Sequence, residues 1–302
     1  MRQLWINSVA CFFVFFSYSQ SQINLFLKPS DSLNKPRRNA VVISEASLGA
    51  ISLLALDQLW YQDYPRSKFH TLNDNGEWLQ MDKLGHVYSA YQIGRLGASV
   101  LNWSGVSRRD QLIYGGTLGF TFLTAVEIFD GFSEEWGFSW GDMAANAVGT
   151  GLFVGQELLW KEQRITMKYS FHQTQYASQR PDKLGDGLSE EFLKDYNGQT
   201  YWLSFNVHSF IKNDKIPKWL NVAFGYGADG MLTGENETLN GAFVNQNRVR
   251  QYYLSLDIDL TRIKTNSHVL RSIFCIFNTI KVPFPALEFN EENGILLHGI
   301  YF

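Results

Sequence analysis

The hydrophobic period of this chain changes once, and that change constrains the fold more than any other feature. From Asn39 to about Trp160 apolar residues recur at helical spacing, and after Gln163 they alternate with a period of two. Helices are expected over Ala40 to Trp60, Lys83 to Leu101, Arg109 to Phe129 and Trp140 to Trp160. Strands are expected at Ile165 to Phe171, Tyr201 to Val207, Leu220 to Gly227 and Leu254 to Leu260, where large apolar residues alternate with small or polar ones. The fold class is therefore α+β: an N-terminal helical bundle rich in small residues over 39–163, then an antiparallel sheet of five or six strands within 164–302. One apolar helix, 268–280, interrupts the β region and is stopped by Pro283 and Pro285.

Two packing expectations follow. Gly115, Gly116, Gly119, Gly149, Gly151 and Gly155 let helix backbones approach closely, and Gly151-x-x-x-Gly155 has the spacing of membrane helix pairs. Five or six strands cannot close an eight-stranded barrel, so the sheet either packs its apolar face on the helices or wraps partway round them. The first arrangement is the expected one. Against it stand the outer-membrane-like alternation of the strands and the terminal Ile300-Tyr301-Phe302. The longest uncharged run in the helical half, Gln111 to Val126, is shorter than the ~20 residues that cross a bilayer.

Residues 1–21 read as a secretory signal, with Arg2 ahead of the apolar Val9 to Phe16 and a small-x-small site at Ser17 to Ser21. Cys11 precedes most of that apolar stretch, which is the wrong order for a lipidation site. A polar linker over 22–38 follows. Without 1–21 a single cysteine, Cys275, is left, so no internal disulfide can form. Lys+Arg at 26 against Asp+Glu at 29 leaves no basic surplus to displace phosphate counterions, which excludes a nucleic-acid partner. Charged residues at 18% and hydrophobic ones at 45% exclude disorder, and 15% aromatics suit a membrane interface. No Gly-rich phosphate loop, nucleophile elbow or Cys pair is present. Asn236-Glu237-Thr238 fits a glycosylation triplet of a kind common by chance, and His172 and His208 sit on the polar faces of their strands, where they are expected to be exposed and not catalytic.

Polar residues in the helical half gather in three stretches. Asp82-Lys83-x-x-His86 opens the second helix, with Asp82 and His86 on one face. Glu127-x-x-Asp130 closes the third, and Ser139-x-x-Asp142-x-x-x-Asn146 opens the fourth with Ser139 as its N-cap and Asp142 as a short capping-box acid. If these helices pack together, the polar faces must meet, because each acid buried alone costs several kcal/mol (roughly). Three readings are open. The cluster pins helix register as a hydrogen-bonded network. It holds a lipid or glycan headgroup, with Lys83 on phosphate and the carboxylates or Asn146 on hydroxyls. Or His86 with Glu127, Asp130 and Asp142 binds Mn, Mg or Zn for hydrolysis, His86, Glu127 and Asp142 being the core ligands. No cofactor is otherwise expected.

In this order, D-K-x-x-H, an acid near a helix end and S-x-x-D-x-x-x-N-x-x-G resemble the VanZ-like bacterial membrane family. They also resemble the related predicted periplasmic lipoproteins of the YfiM-like group. The matching positions are Asp82, Lys83, His86, Glu127, Ser139, Asp142, Asn146 and Gly149, within about residues 80–155. The chain departs from the VanZ-like pattern at Asp130, where a Gln is usual, and at Phe138, where an Arg is usual. The resemblance implies a cell-envelope location with no established reaction; with the alternation of the strands and the terminal aromatics, the expected place is the outer membrane or its periplasmic face. The expected partner is a membrane lipid or an envelope glycan.

Overall fold

The computed structural model describes residues 21–61, 64–235, 238–239, 242–243 and 247–302. Residues 1–20 of the expected signal, Cys11 among them, and Asn236 and Glu237 of the triplet lie outside the described residues.

Helix α1 (Lys35–Leu56) starts where the Asn34 side chain accepts from the Arg37 N–H at 3.0 Å, with Pro36 in the first turn. Val41 is its buried residue, while Val42, Ile43, Leu48, Ile51 and Leu54 are exposed. Helix α2 (Met81–Trp103) is the centre of the bundle and touches all the others. The third expected helix is broken: Ser107 caps a first turn, a wide π-turn covers Gln111–Gly115, and α3 (Leu118–Asp130) follows. Helix α4 (Trp140–Leu159) begins at the expected N-cap, Ser139, whose Oγ accepts from the Asp142 N–H at 3.1 Å. Lys35–Leu56 and Arg108–Asp130 are long and apolar enough to cross a membrane by length and composition; a third of the latter is buried in the bundle.

Close backbone approach does hold the bundle together, but through other glycines than Gly151 and Gly155. A Cβ on Gly149 would stand 2.1 Å from the Val87 carbonyl oxygen, and one on Gly119 would stand 2.3 Å from that of Ala90. Gly151 and Gly155 face open space, so their membrane-pair spacing makes no helix contact here. Substitutions two residues apart should therefore differ in sign. Gly149→Ala must push α2 and α4 apart and should cost about 1–3 kcal/mol. Gly151→Ala meets nothing and should gain up to ~1 kcal/mol from helix propensity. Thermal melting of the two variants checks this; equal shifts would mean the helices do not touch at Gly149.

Strands β1 (Ile165–Phe171), β2 (Gln199–Asn206), β3 (Leu220–Asp229) and β4 (Val249–Ile258) come next, then helix α5 (His268–Phe277), and finally β5 (Phe284–Asn290) and β6 (Gly294–Tyr301). They form one six-stranded sheet in the order β6-β5-β4-β3-β2-β1, antiparallel throughout. The outer edge of β1 is covered: Tyr169 N–H donates to the Thr279 carbonyl at 3.0 Å and Lys281 N–H to the Tyr169 carbonyl at 2.9 Å. The sheet also curls, so that the Tyr301 hydroxyl on β6 lies 2.9 Å from Thr200 Oγ1 on β2.

The expectation that the apolar face packs on the helices holds only where Met167, Tyr169, Phe171 and Tyr201 meet α2 and α4 residues such as Tyr91 and Phe153. Farther along, the small and polar face is the buried one. Ser204, Asn221, Ala223, Tyr253, Asp257 and Ala286 are buried, while Leu203, Phe224, Tyr252, Leu256, Leu287, Phe289, Ile295 and Leu297 are exposed. The reason is inside the curl. Lys168 and Asp257, both fully buried, pair at 2.7 Å, and Ser204 Oγ donates to the same carboxylate at 2.6 Å. Asn221 donates to Ser204 at 2.8 Å, and the buried Lys281 ammonium sits 4.8 Å from the Trp202 ring centre. Lys168 also donates to the Ile258 carbonyl at 2.7 Å and Asp257 Oδ1 accepts from the Val282 N–H at 3.1 Å, so the buried charges are paired and hydrogen-bonded within the curl.

Candidate functional site

One end of the helical bundle collects the polar residues. The first two turns of α2 carry Asp82, Lys83 and His86, the last turn of α3 carries Glu127 and Asp130, and the first turn of α4 follows Ser139. Antiparallel packing of α2 on α3, and of α3 on α4, brings those ends together, so all eight residues named from the sequence sit at one end of the fold. They do not all do the same work.

Lys83 is the hub of the charges. Its Nζ lies 2.7 Å from Asp74, 3.2 Å from Asp82 and 2.9 Å from Asp142. His86 is the second hub. Its Nδ1 lies 3.0 Å from Asn146 Oδ1, which places the proton on Nδ1 and turns Nε2 toward the acids. Nε2 is then 3.8 Å from Asp82 Oδ1, 3.6 Å from Glu127 Oε1 and 3.8 Å from Asp142 Oδ1. Asn146 is fully buried and works from behind the imidazole. Asp142 Oδ1, although near the Lys83 ammonium, accepts no well-directed hydrogen bond among the described residues.

Ser139 is a capping residue whose hydrogen bonds go to Asp74, Glu127 and the Asp142 N–H. Besides capping α4, its hydroxyl donates to Asp74 Oδ1 at 2.6 Å, and its own N–H donates to Glu127 Oε2 at 3.0 Å. In a capping box the acid three residues on would accept that N–H; here Glu127, from a different helix, does so, and Asp142 is freed for Lys83. Asp130 stands apart from His86 and accepts from the Tyr61 hydroxyl at 2.6 Å.

Three participants are invisible to motif reading. Asp74 belongs to the Asn73 to Gly76 stretch, which reads as a turn. Tyr196, from the long polar loop before β2, donates to Asp82 Oδ1 at 2.9 Å. Tyr61 lies past the end of α1, where the only available signal was a polar break at Asp57. His172 is exposed, as expected; His208 is half-buried in a short helical turn, Val207–Ile211, and not exposed on a strand.

These groups line a cavity of about 540 Å³, whose wall includes Tyr61, Asp82, His86, Glu127, Asp142 and Tyr196. Five carboxyls of the cluster face two cationic groups, and the balance shows in their protonation. Burial pushes the Glu127 carboxyl up to about 8, with Asp142 adding to the rise and His86 opposing it. Burial likewise lifts Asp142 and Asp130 to about 7 each, Asp82 adding to both. Burial works against the charged forms of His86 and Lys83 as well, but the surrounding carboxylates, Asp82 first, hold both above their ordinary values. Asp82 alone among the acids is held low: burial opposes its charge, and His86, Lys83 and the Tyr196 hydroxyl outweigh it. Asp82, His86 and Asp142 each offer a ligand atom within 4.8 Å of one another, a spacing that a divalent ion can gather with small side-chain movements.

Residues 72–156 match the model of a family described as a predicted periplasmic lipoprotein (DUF2279). That stretch runs from just before Asp74 to Gln156, near the end of α4, and contains every residue of the cluster except Tyr61 and Tyr196. The match supports an exported protein at the periplasmic face of the cell envelope and carries no reaction with it. VanZ-like and YfiM-like stay resemblances, and Cys11 lies outside the matched span. No curated protein and no solved structure matches the chain.

Proposed function

We propose that the protein binds the polar headgroup of an envelope lipid or glycan through a divalent cation held by Asp82, His86, Glu127 and Asp142. One observation carries this reading: oxygens of three carboxyl groups converge on His86 Nε2 at 3.6–3.8 Å on the wall of a cavity large enough for a small polar ligand. The donor set of one imidazole and three carboxylates suits Mn²⁺, Zn²⁺ or Mg²⁺. Asn146 fixes the imidazole tautomer from behind, as outer partners of metal-bound histidines do. Two further features favour an ion over a closed ionic network. The carboxyls of the cluster outnumber its cations, and Asp142 Oδ1, though ion-paired to Lys83 at 2.9 Å, is buried without a directed hydrogen bond. A bound ion would supply Lewis acidity to a phosphate or glycosidic oxygen, which makes metal-dependent hydrolysis the catalytic form of the same proposal.

Elemental analysis and titration calorimetry with Mn²⁺ and Zn²⁺ test it. The wild-type protein should take up close to one ion per chain, and His86→Ala and Asp142→Asn should each lose at least nine-tenths of that uptake. No uptake by the wild type at millimolar ion, with both variants merely melting lower, would leave the cluster as a clasp between helices and end the proposal.

A further inference from the structure

We infer that the uncovered face of the sheet and the exposed side of α1 form a lipid-facing wall, seating the protein in a bilayer with the acidic cavity at one surface and a basic collar at the other. The juxtaposition that carries this is a polar, ion-paired sheet interior behind an apolar exterior. In a water-soluble sheet the alternation runs the other way, because the hydrophobic effect buries the large residues. Here Lys168, Asp257, Ser204 and Asn221 are sealed inside, and Leu203, Phe224, Leu256, Leu287, Phe289, Ile295 and Leu297 look outward. A membrane β-wall has that sense.

Dimensions and flanks agree. Strands β3 and β4 have ten residues each, within the ~9–11 that a tilted membrane strand needs. On that face of β3 stand Val222, Phe224 and Tyr226, the last half-buried with its hydroxyl donating to the Leu79 carbonyl at 2.6 Å, and the exposed Trp219 precedes the strand; an apolar middle is thus bounded by Trp at one end and Tyr at the other. Tyr226 and Tyr252 pack ring to ring at 5.4 Å at the second end, and Trp160 and Phe210 do so at 5.9 Å at the first. Such aromatic girdles mark the two interfaces of membrane walls. Helix α1, at 22 residues, spans about 33 Å, close to the ~30 Å of a hydrocarbon layer.

The two ends differ in charge. The end of α1 near Leu56 leads to the acidic cavity. The opposite end carries Arg37 and Arg38 at the start of α1, Arg108 paired to Glu157 near the end of α4, and the exposed Lys212, Lys215 and Lys218 ahead of β3. A collar of this sign complements anionic headgroups. A second copy of the chain fits the surface less well. The apolar exterior continues over five strands of the sheet and recurs on α1, whereas a stable dimer needs only about 800 Å² on one patch of each partner. Acyl chains can wrap such a surface; one flat contact cannot.

Phe224→Cys, Leu256→Cys and Lys215→Cys, each placed in a protein carrying Cys11→Ser and Cys275→Ser and spin-labelled, give the test in phosphatidylethanolamine/phosphatidylglycerol vesicles. Labels at 224 and 256 should be relaxed by oxygen and shielded from a water-soluble nickel chelate, and the label at 215 should show the reverse. Phe224→Lys should lower the vesicle-bound fraction about tenfold or more, and Phe224→Leu should leave it unchanged. The wall is refuted if 224 and 256 are as open to nickel as 215. It is refuted equally if the protein is a stable monomer or dimer in buffer without detergent and ignores vesicles. None of these outcomes depends on whether the cavity binds an ion.

Discussion

Lys83→Met should destabilise the protein by about 3–5 kcal/mol, the cost of leaving buried charges without their partner. The ammonium is the shared partner of Asp74, Asp82 and Asp142, at 2.7, 3.2 and 2.9 Å, and its side chain is 13% exposed. Methionine keeps most of the volume, so the loss is electrostatic and not a cavity effect. At roughly 2–4 °C per kcal/mol for a chain of this class, the melting temperature should fall by about 10 °C. Lys68→Met, at an exposed position, should stay within ±0.5 kcal/mol (roughly) of wild type. The same variant bears on the ion. Removing a fixed cation raises the demand for a mobile one, so millimolar Mn²⁺ should recover a large part of the lost stability. Recovery in Mn²⁺ but not in matched Na⁺ is the expected result; a melt insensitive to both would argue that no cation can enter.

Without divalent ions, in a chelating buffer, stability should decline from pH 6 to pH 9. The sign follows from the direction of the shifts. Glu127 is raised from 4.5 to about 8 and Asp142 from 3.8 to about 7, so in this interval the folded state holds protons that the unfolded chain has released. Stability from such groups is complete below their ordinary values and is lost as pH climbs through the raised ones. His86, also raised, adds a loss in the same direction as pH passes its folded value. Asp82 is lowered, so its contribution is complete above the ordinary carboxylate range and stays constant across this window. One pKa unit corresponds to about 1.4 kcal/mol, and the strong coupling within the cluster keeps the net fall at a few kcal/mol (roughly). Glu127→Gln should flatten the curve, since the amide can neither ionise nor repel Asp142. Saturating Mn²⁺ should reverse it, because ion binding favours the deprotonated ligands. Denaturation midpoints at pH 6, 7.5 and 9 decide the matter; a level profile for the wild type in chelator would show that these carboxyls are not held neutral.

Much of the site is legible in the chain because it is written in local code. The i, i+4 pair Asp82 and His86, the N-cap Ser139 with Asp142 behind it, and the paired acids at the end of α3 are each set by helix geometry within a single element. What helix packing then requires, that three polar faces meet, follows from the cost of burying charge. Asp74 and Tyr196 were beyond reach for the opposite reason. A turn Asp and a loop Tyr carry no period, and only the path of the chain brings them to Lys83 and Asp82. Glu127 shows the boundary well: its helix was readable, but its role as the missing half of a capping box on another helix was not.

The sheet marks the same division. A period of two states that the faces of β2, β3 and β4 differ, and it states this identically for a soluble sheet and for a membrane wall. Local sequence thus determined the elements, their order, the caps and the polar helix ends, because each depends on neighbours a few residues away. Tertiary structure alone decided which sheet face turns inward, which glycines touch and which acids share a cation. Those outcomes depend on pairings such as Lys168 with Asp257, made across 89 positions of chain that no local pattern links.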